Sequence, residues 1–290
     1  MSVSRYKTGK GKRDSNLRKF TRFLLQWQPG PQIDRSTLKI APRVSELKAS
    51  GNSATQRAAL MAAGFMQVPV ENNCADVWQF SLAADDSTVT RHALMLSSDE
   101  LERAYKHKST NGFRQFVVAR SMLRQLLAIY TGVSPAKLAF AYGPHGKPEL
   151  TGGPSVQFNL AHSGDRAIYA IANKQPVGVD IERIGRTVNS QRLAKRFFST
   201  AEYEALQAIS PTSRQQAFFR LWTGKEAIVK VTGKGLAQLI GKFEITNPFG
   251  YPALIISRES PQLEKIRLYY PDPGEGYIAA VALLPAQNSR

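Results

Sequence analysis

Gly178-Val179-Asp180-Ile181-Glu182 reads as a β-strand that carries two carboxylates on one side. Residues i and i+2 of a strand point the same way, so Asp180 and Glu182 project together while Val179 and Ile181 pack behind them. Like charges at that distance repel, which makes the pair costly unless a cation lies between them. Oxygen-only ligands suit Mg²⁺, which keeps several waters and often shares its shell with substrate phosphates. The competing reading is a strand end running out into solvent, where acids are ordinary. The pentapeptide alone leaves the two even.

A second pattern lies downstream, in Leu221-Trp222-Thr223-Gly224-Lys225-Glu226-Ala227-Ile228-Val229-Lys230. Phe218, Leu221, Trp222 and Val229 fall at helical spacing and form an apolar stripe. Glu226 stands four residues after Trp222 and three before Val229, on that inward stripe, and acids are rarely buried without a partner. Lys230 follows one turn later. The pair is read either as a plain i,i+4 ion pair or as an oxygen ligand or general base with a lysine that reaches a phosphate. Gly233-Lys234-Gly235-Leu236 then closes the helix, with Gly233 as candidate C-cap.

A third pattern combines Tyr142-Gly143-Pro144-His145-Gly146-Lys147-Pro148 with Phe158-Asn159-Leu160-Ala161-His162-Ser163-Gly164. Small residues allow close backbone approach to a ligand, and Lys147 and His162 are suited to phosphate oxygens. Taken separately, both are ordinary turns.

The rest of the chain gives these patterns a setting. Val77–Leu82 alternates like a half-buried strand, and Ser97-Ser98-Asp99-Glu100 starts a helix. Phe116 to Tyr130 is helical, and Val156–Leu160 and Ala167–Ala172 are neighbouring strands joined at His162-Ser163-Gly164. Helices are expected over Leu193–Phe198, Ala201–Ile209 and Gln215–Val231. Strands are expected at Lys242–Thr246, Ala253–Ser257, Lys265–Tyr270 and Tyr277–Leu284. This is an α+β pattern in two comparable halves, residues 76–180 and 181–290, preceded by a basic extension over residues 1–75 that reads as a flexible solvated arm. Within that extension, Ser45 to Ala63 suggests a helix without caps.

Composition excludes several classes. In 290 residues, 42% hydrophobic content is enough for a core, so wholesale disorder is out. No apolar run approaches the roughly 18 residues of a membrane span. One cysteine, Cys74, excludes an intrachain disulfide framework and a multi-cysteine zinc site. His92, His107, His145 and His162 are scattered, which excludes a zinc hydrolase with paired histidines. The net charge is +17; residues 1–75 hold 13 basic and 4 acidic residues, net +9, and the remainder holds 26 and 18, net +8. Such a surface favours acidic or phosphorylated partners. No apolar core with a cleavage site follows the basic start, so a secretory signal is not expected, and an organellar transit peptide is the second reading.

In order along the chain, Gly146-Lys147-Pro148, Phe158 to Gly164, Gly178 to Glu182, Phe197 to Glu202 and Trp222 to Leu236 resemble the Sfp-type 4′-phosphopantetheinyl transferases. The family pattern combines G-K-P, F-N-x-S-H-S-G, G-[IV]-D-[IV]-E, F-F-S-x-x-E and W-[ST]-x-K-E-x-x-x-K-x-x-G-x-G-L. Each piece is common alone; five in order are specific, and the resemblance covers about residues 76–284. It implies two similar α/β subdomains related by pseudo-twofold symmetry, with coenzyme A in the cleft between them. It also implies transfer of the 4′-phosphopantetheine arm from coenzyme A to a serine of an acyl or peptidyl carrier protein, releasing 3′,5′-ADP. By the resemblance Asp180, Glu182 and Glu226 bind Mg²⁺, Lys230 contacts the coenzyme A phosphates, and Gly146, Lys147 and Pro148 pack around the adenine end. His162 binds the pyrophosphate or 3′-phosphate region, and Arg103 and Arg114 look like the family's basic 3′-phosphate contacts. Glu226 is the candidate base for the serine proton, with Lys230 beside it in catalysis. Ala161 departs from the pattern where the family has Ser, which removes one hydroxyl contact.

The expected protein is a cytoplasmic monomer with an acidic carrier partner drawn by the basic surface, serving fatty-acid, polyketide or nonribosomal-peptide synthesis, with no membrane and no nucleic acid. A nucleic-acid-binding protein is the rival suggested by +17. It leaves the three acids unexplained, because acids in such a cleft repel phosphate unless a metal intervenes. An inactive scaffold is argued against by the intact acidic set.

Overall fold

The computed structural model describes residues 54–70, 75–152, 156–185, 187–239, 241–246, 253–257 and 260–285. Residues 1–53, and with them most of the basic extension, lie outside the described residues. Arg43–Arg290 form one compact unit.

Its described part starts with α1 (Ala54–Ala62) and β1 (Met66–Val68), which pairs antiparallel with β2 (Asp76–Ser81). This corrects the boundary placed at residue 75. Leu60 and Phe65 are buried, and the Phe65 ring meets those of Trp78, Phe80 and Tyr169. Between residues 54 and 70 the only charged residue is Arg57, so averaging the charge over 1–75 concealed an apolar segment that belongs to the core. Helices α2 (Asp86–Ala93), α3 (Ser98–Tyr105) and α4 (Thr110–Thr131) follow. Ser97 and Glu100 form a capping box that starts α3, and α4 runs from a Ser109 cap to Gly132, which takes the left-handed φ of 71° that favours glycine at a helix end.

A short hairpin, β3 (Phe140–Tyr142) with β4 (Pro148–Leu150), leads into β5 (Val156–Ser163) and β6 (Arg166–Asn173). The latter pair is in continuous register from Val156↔Asn173 to Ser163↔Arg166. Its two-residue turn has Gly164 first, at φ 59°, as a tight hairpin of this hand requires. The first sheet is therefore β1-β2-β6-β5, all antiparallel.

The second sheet is built around β7 (Val177–Arg183). After α5 (Ser190–Phe197), α6 (Thr200–Ala208), α7 (Pro211–Thr232), the short α8 (Leu236–Leu239), the β8–β9 pair (Glu244–Ile245, Ile255–Ile256) and α9 (Pro261–Glu264), the chain returns as β10 (Arg267–Tyr269) and β11 (Tyr277–Leu283). The order is β10-β11-β7, again antiparallel, with Val177↔Leu283 through Arg183↔Tyr277. The division expected between residues 180 and 181 thus falls inside a strand that pairs along its whole length with β11.

Strand alternation sorts the second sheet. Val177, Val179, Ile181, Ala279, Val281 and Leu283 face the first sheet and share a core with Ile168 and Ala170. Ile278, Ala280 and Ala282 face α7 and its core of Phe218, Phe219, Ala227 and Ile228. By the same alternation Gly178, Asp180 and Glu182 lie on the α7 side.

Gly178 sets how closely α7 approaches. A Cβ there would stand 2.1 Å from the Ala227 carbonyl oxygen and 2.5 Å from the Val231 amide nitrogen. Both are backbone atoms and cannot yield by a rotamer change. Gly178→Ala is therefore expected to destabilise the protein by about 2–4 kcal/mol and to displace α7 from β7. Urea unfolding checks this; a midpoint unchanged from wild type contradicts it.

Candidate functional site

β7 pairs through its backbone on one side only, with β11. Its other edge faces β5, and four of the groups on that edge are met by side chains. The Val179 N–H donates to Asn159 Oδ1 at 2.9 Å, and the Arg183 N–H to Ser163 Oγ at 3.1 Å. The carbonyls of Val177 and Val179 accept from Lys147 Nζ at 3.3 Å and Lys230 Nζ at 3.2 Å. The two sheets are stitched by polar side chains, and an open cleft of about 420 Å³ lies over the seam.

The expected carboxylates sit at this seam. Asp180 and Glu182 are buried, at 7% and 8% exposure. Glu182 Oε2 accepts from Ser163 Oγ at 2.8 Å, so one hydroxyl both orients the carboxylate and takes a β7 amide. Asp180 Oδ1 is 2.7 Å from Lys230 Nζ. The cation against the acidic pair in this structure is thus the lysine of α7. Lys230 is not simply an i,i+4 partner of Glu226; it reaches across to β7. The Glu226 carboxyl is held above the ordinary carboxylate range by burial first, then by the charge of Asp180, with Glu182 adding to it and Lys230 opposing. Three carboxylates are within electrostatic reach of one another. Among the described residues, however, no three His, Cys, Asp or Glu side chains converge closely enough to form a metal cage.

The cleft brings together Glu226, Lys230, His162, Gly146, Lys147 and Pro148. Gly146 takes φ 78° in the β3–β4 turn, where the Gly146 N–H donates to the Gly143 carbonyl. Lys147 lines the cleft and serves backbone carbonyls there. Its ammonium donates to the Lys230 carbonyl at 2.9 Å as well as to Val177, tying the turn to the end of α7, and desolvation lowers its pKa. His162 stands exposed at the cleft, with a pKa below the usual histidine value because of desolvation first and then the charges of Lys230 and His107.

Arg103 and Arg114 are not among the residues that line the cleft. Arg103 stacks its guanidinium 3.4 Å above the Tyr142 ring. Arg114 is ion-paired with Asp86 and donates to the Ala84 carbonyl, holding the start of α2. The cleft has two inward residues that the sequence reading passed over, Asn159 and Arg120. Asn159 stands inside the Phe158–Gly164 motif, but nothing local shows that its amide oxygen serves a strand edge 20 residues away.

Other motif residues are structural. Lys225 and Glu202 form a buried ion pair at 2.9 Å. Glu202 also accepts from the Ile245 and Ser199 amides, each at 2.8 Å, while Lys225 donates to the Phe243 carbonyl at 3.2 Å. The pair fastens α6, α7 and β8 and faces no cleft. Phe197 and Phe198 pack edge-on and stacked against Trp222 and Phe218 of α7.

The raised pKa of Glu226 carries a stability consequence. The folded protein binds this proton more tightly than the unfolded chain, so its contribution is fully present below the ordinary carboxylate pKa and is lost as pH rises through the raised folded value. Glu226→Gln is expected to melt roughly 2–4 °C higher than wild type at neutral pH, and to lack that loss on scanning from acid. A variant that melts below wild type at neutral pH contradicts this.

Residues 176–282 match the family model described as the 4'-phosphopantetheinyl transferase superfamily. The chain is 36% identical over 210 residues to 4'-phosphopantetheinyl transferase HetI of Nostoc sp., spanning 71% of this chain and 86% of that protein. It is 31% identical over 150 residues to a 4'-phosphopantetheinyl transferase of Bacillus subtilis, covering 52% and 66% of the two chains. To 4'-phosphopantetheinyl transferase Sfp of Bacillus subtilis strain 168 the identity is 28% over 184 residues, covering 63% and 81%. A seam of two antiparallel sheets with acids and lysines gathered along it, and a relative matched over most of its length, place this chain in the 4′-phosphopantetheinyl transferase superfamily.

Proposed function

We propose that the cleft over the β5–β7 seam binds coenzyme A with its diphosphate toward Asp180, Glu182 and Glu226. The protein is a 4′-phosphopantetheinyl transferase: it moves the 4′-phosphopantetheine arm of coenzyme A to a serine of a carrier protein. The observation that carries the site assignment is the meeting of Lys230 and Glu226 of α7 with Asp180 of β7, through the 2.7 Å ion pair and the coupled carboxylate.

The donor set fits Mg²⁺, because all three side chains offer hard oxygens, and a divalent ion would relieve the repulsion from Asp180 and Glu182 that adds to burial in raising Glu226. Asp180, Glu182 and Glu226 would hold it, and when bound it neutralises charge at the diphosphate. Lys230 then exchanges Asp180 for a phosphate oxygen. Its side chain already lies in the cleft and need only turn from β7. His162, with its pKa kept low, donates a neutral N–H to the same phosphates at ordinary pH. Glu226 accepts the proton of the attacking serine hydroxyl, directly or through water. Lys147 and Pro148 hold the wall of the cleft, and Ser163 keeps Glu182 aimed. The bond from the serine oxygen to phosphorus forms as that to the leaving 3′,5′-ADP breaks, so positioning and charge neutralisation supply the rate.

We further read the carrier as acidic, drawn by the net charge of +17, and the protein as a cytoplasmic monomer. Among the described residues no helix is long and apolar enough to cross a membrane. A pseudo-twofold relation between the halves is supported by two 22-residue helices, α4 and α7, each closed by a left-handed glycine.

Incubation with coenzyme A, Mg²⁺ and several apo-carriers, followed by mass spectrometry, is expected to show the added arm on the carrier and its loss when the metal is chelated. Asp180→Ala is expected to lower transfer at least about 100-fold with far-ultraviolet circular dichroism unchanged. Metal-dependent turnover at the wild-type rate in that variant contradicts the site assignment.

A further inference from the structure

Side chains of β5 fasten the edge of β7 at a constant offset. Asn159 Oδ1 accepts from the Val179 N–H and Ser163 Oγ from the Arg183 N–H, 20 residues apart in both cases. Asn159, Ala161 and Ser163 alternate onto one face of β5. The register with β6 sets Asn159 opposite Ala170 and Ala161 opposite Ile168, and Ala161, Ile168 and Ala170 share the core between the sheets with Val179 and Ile181. The offset therefore brings Ala161 against Ile181, midway between the two fastenings, and a methyl group has no oxygen to offer there.

The Ile181 peptide calls for one. Pairing with β11 uses every second residue of β7. The Leu284 N–H donates to the Pro176 carbonyl at 3.1 Å and the Ile184 N–H to the Gly276 carbonyl at 2.8 Å, in the same register as the strands between them. Even-numbered residues thus turn toward β11, and Val177, Val179, Ile181 and Arg183 turn toward β5. Lys147 serves Val177, Asn159 and Lys230 serve Val179, and Ser163 serves Arg183. Ile181 is 1% exposed, and among the described residues no side chain hydrogen-bonds its N–H. A buried amide left unmet is costly. This one lies between the two acids Asp180 and Glu182.

Ala161 is also where the chain departs from the family pattern, which has serine before the histidine. The lost hydroxyl was read as a contact to coenzyme A. In the structure residue 161 is 7% exposed and belongs to the core between the sheets. Leu160 and His162, on the opposite face of β5, line the cleft, and so does Asn159; Ala161 does not. A hydroxyl at 161 would stand as that of Ser163 does, one step along the same row.

We propose that position 161 is a third fastening point of the β5–β7 seam, and that its alanine leaves the Ile181 N–H to a bound water, held also by the Ile181 carbonyl on the same edge. Serine at this position of this chain fastens the strand that carries the acids and does not touch coenzyme A. The missing fastening is a property of the seam, whatever the cleft binds.

Amide hydrogen exchange followed by NMR on the ¹⁵N-labelled full-length chain, wild type beside Ala161→Ser, tests this. In wild type the Ile181 amide is expected to exchange at least about tenfold faster than those of Val179 and Arg183. In Ala161→Ser it should slow at least about tenfold and the melting temperature should rise roughly 2–4 °C, with KM for coenzyme A unchanged within about twofold. An Ile181 amide as protected as its two neighbours in wild type overturns the proposal. So does Ala161→Ser that leaves the Ile181 exchange rate unchanged, or that lowers KM for coenzyme A by more than about twofold, which returns the hydroxyl to the cofactor. If Ala161→Ser does not fold, the wild-type comparison decides together with Ser163→Ala, in which the Arg183 amide should speed up to the Ile181 rate; an Arg183 rate that does not move overturns the proposal. A chain that turns over no coenzyme A sinks the proposed function, while the exchange rates still judge the seam.

Discussion

The free edge of β7 governs this molecule. A strand edge presents N–H and C=O groups in a row, and each one buried unmet costs about 1–3 kcal/mol. Most sheets solve this by adding a strand. Here Asn159 and Ser163 supply oxygens for two amides, and Lys147 and Lys230 supply ammonium groups for two carbonyls. A backbone ladder would have closed the gap between β5 and β7. Side chains hold the strands together yet leave a cleft above them, lined by polar groups that were needed for structural reasons in any case.

The same edge concentrates charge. α7 approaches β7 closely because Gly178 and the alanines Ala227, Ala280 and Ala282 leave room. That approach carries Glu226 and Lys230 to Asp180. Three carboxylates near one another are unfavourable; burial first and then the charge of Asp180 raise the Glu226 pKa, and the 2.7 Å pair between Lys230 and Asp180 offsets part of the repulsion. Under the proposed Mg²⁺ reading, partial compensation leaves the acids open to a divalent ion. A fully neutralised cluster would resist exchange, and an unpaired one would weaken the fold.

Much of this was legible in the sequence because it depended on local periodicity. The i, i+2 spacing of Asp180 and Glu182 put both on one side of the strand, and the stripe through Phe218, Leu221 and Val229 put Glu226 on the inward side; that the two faces meet is seen only in the fold. The hairpin about Gly164 and the helix end at Gly233 followed from backbone chemistry. What escaped depended on contacts between distant segments. The charge of Lys147 suggested phosphate, yet its ammonium serves carbonyls of β7 and α7. Arg114 and Arg120 sit on one helix, less than two turns apart, but only the fold shows that one is tied to Asp86 and the other faces the cleft. Residues 54–70 were assigned to an arm because the charge of their neighbours dominated the average, although Leu60 and Phe65 are core residues.

Central to the account is the claim that Lys230 holds Asp180 in place of a divalent ion and gives it up when cofactor and metal arrive. A crystal structure with coenzyme A and Mg²⁺ bound tests this most directly. The expected result is a metal ion shared by Asp180, Glu182 and Glu226, with Lys230 Nζ moved from Asp180 to a phosphate oxygen. A Lys230–Asp180 pair still at 2.7 Å, with the diphosphate bound away from these acids, would contradict it.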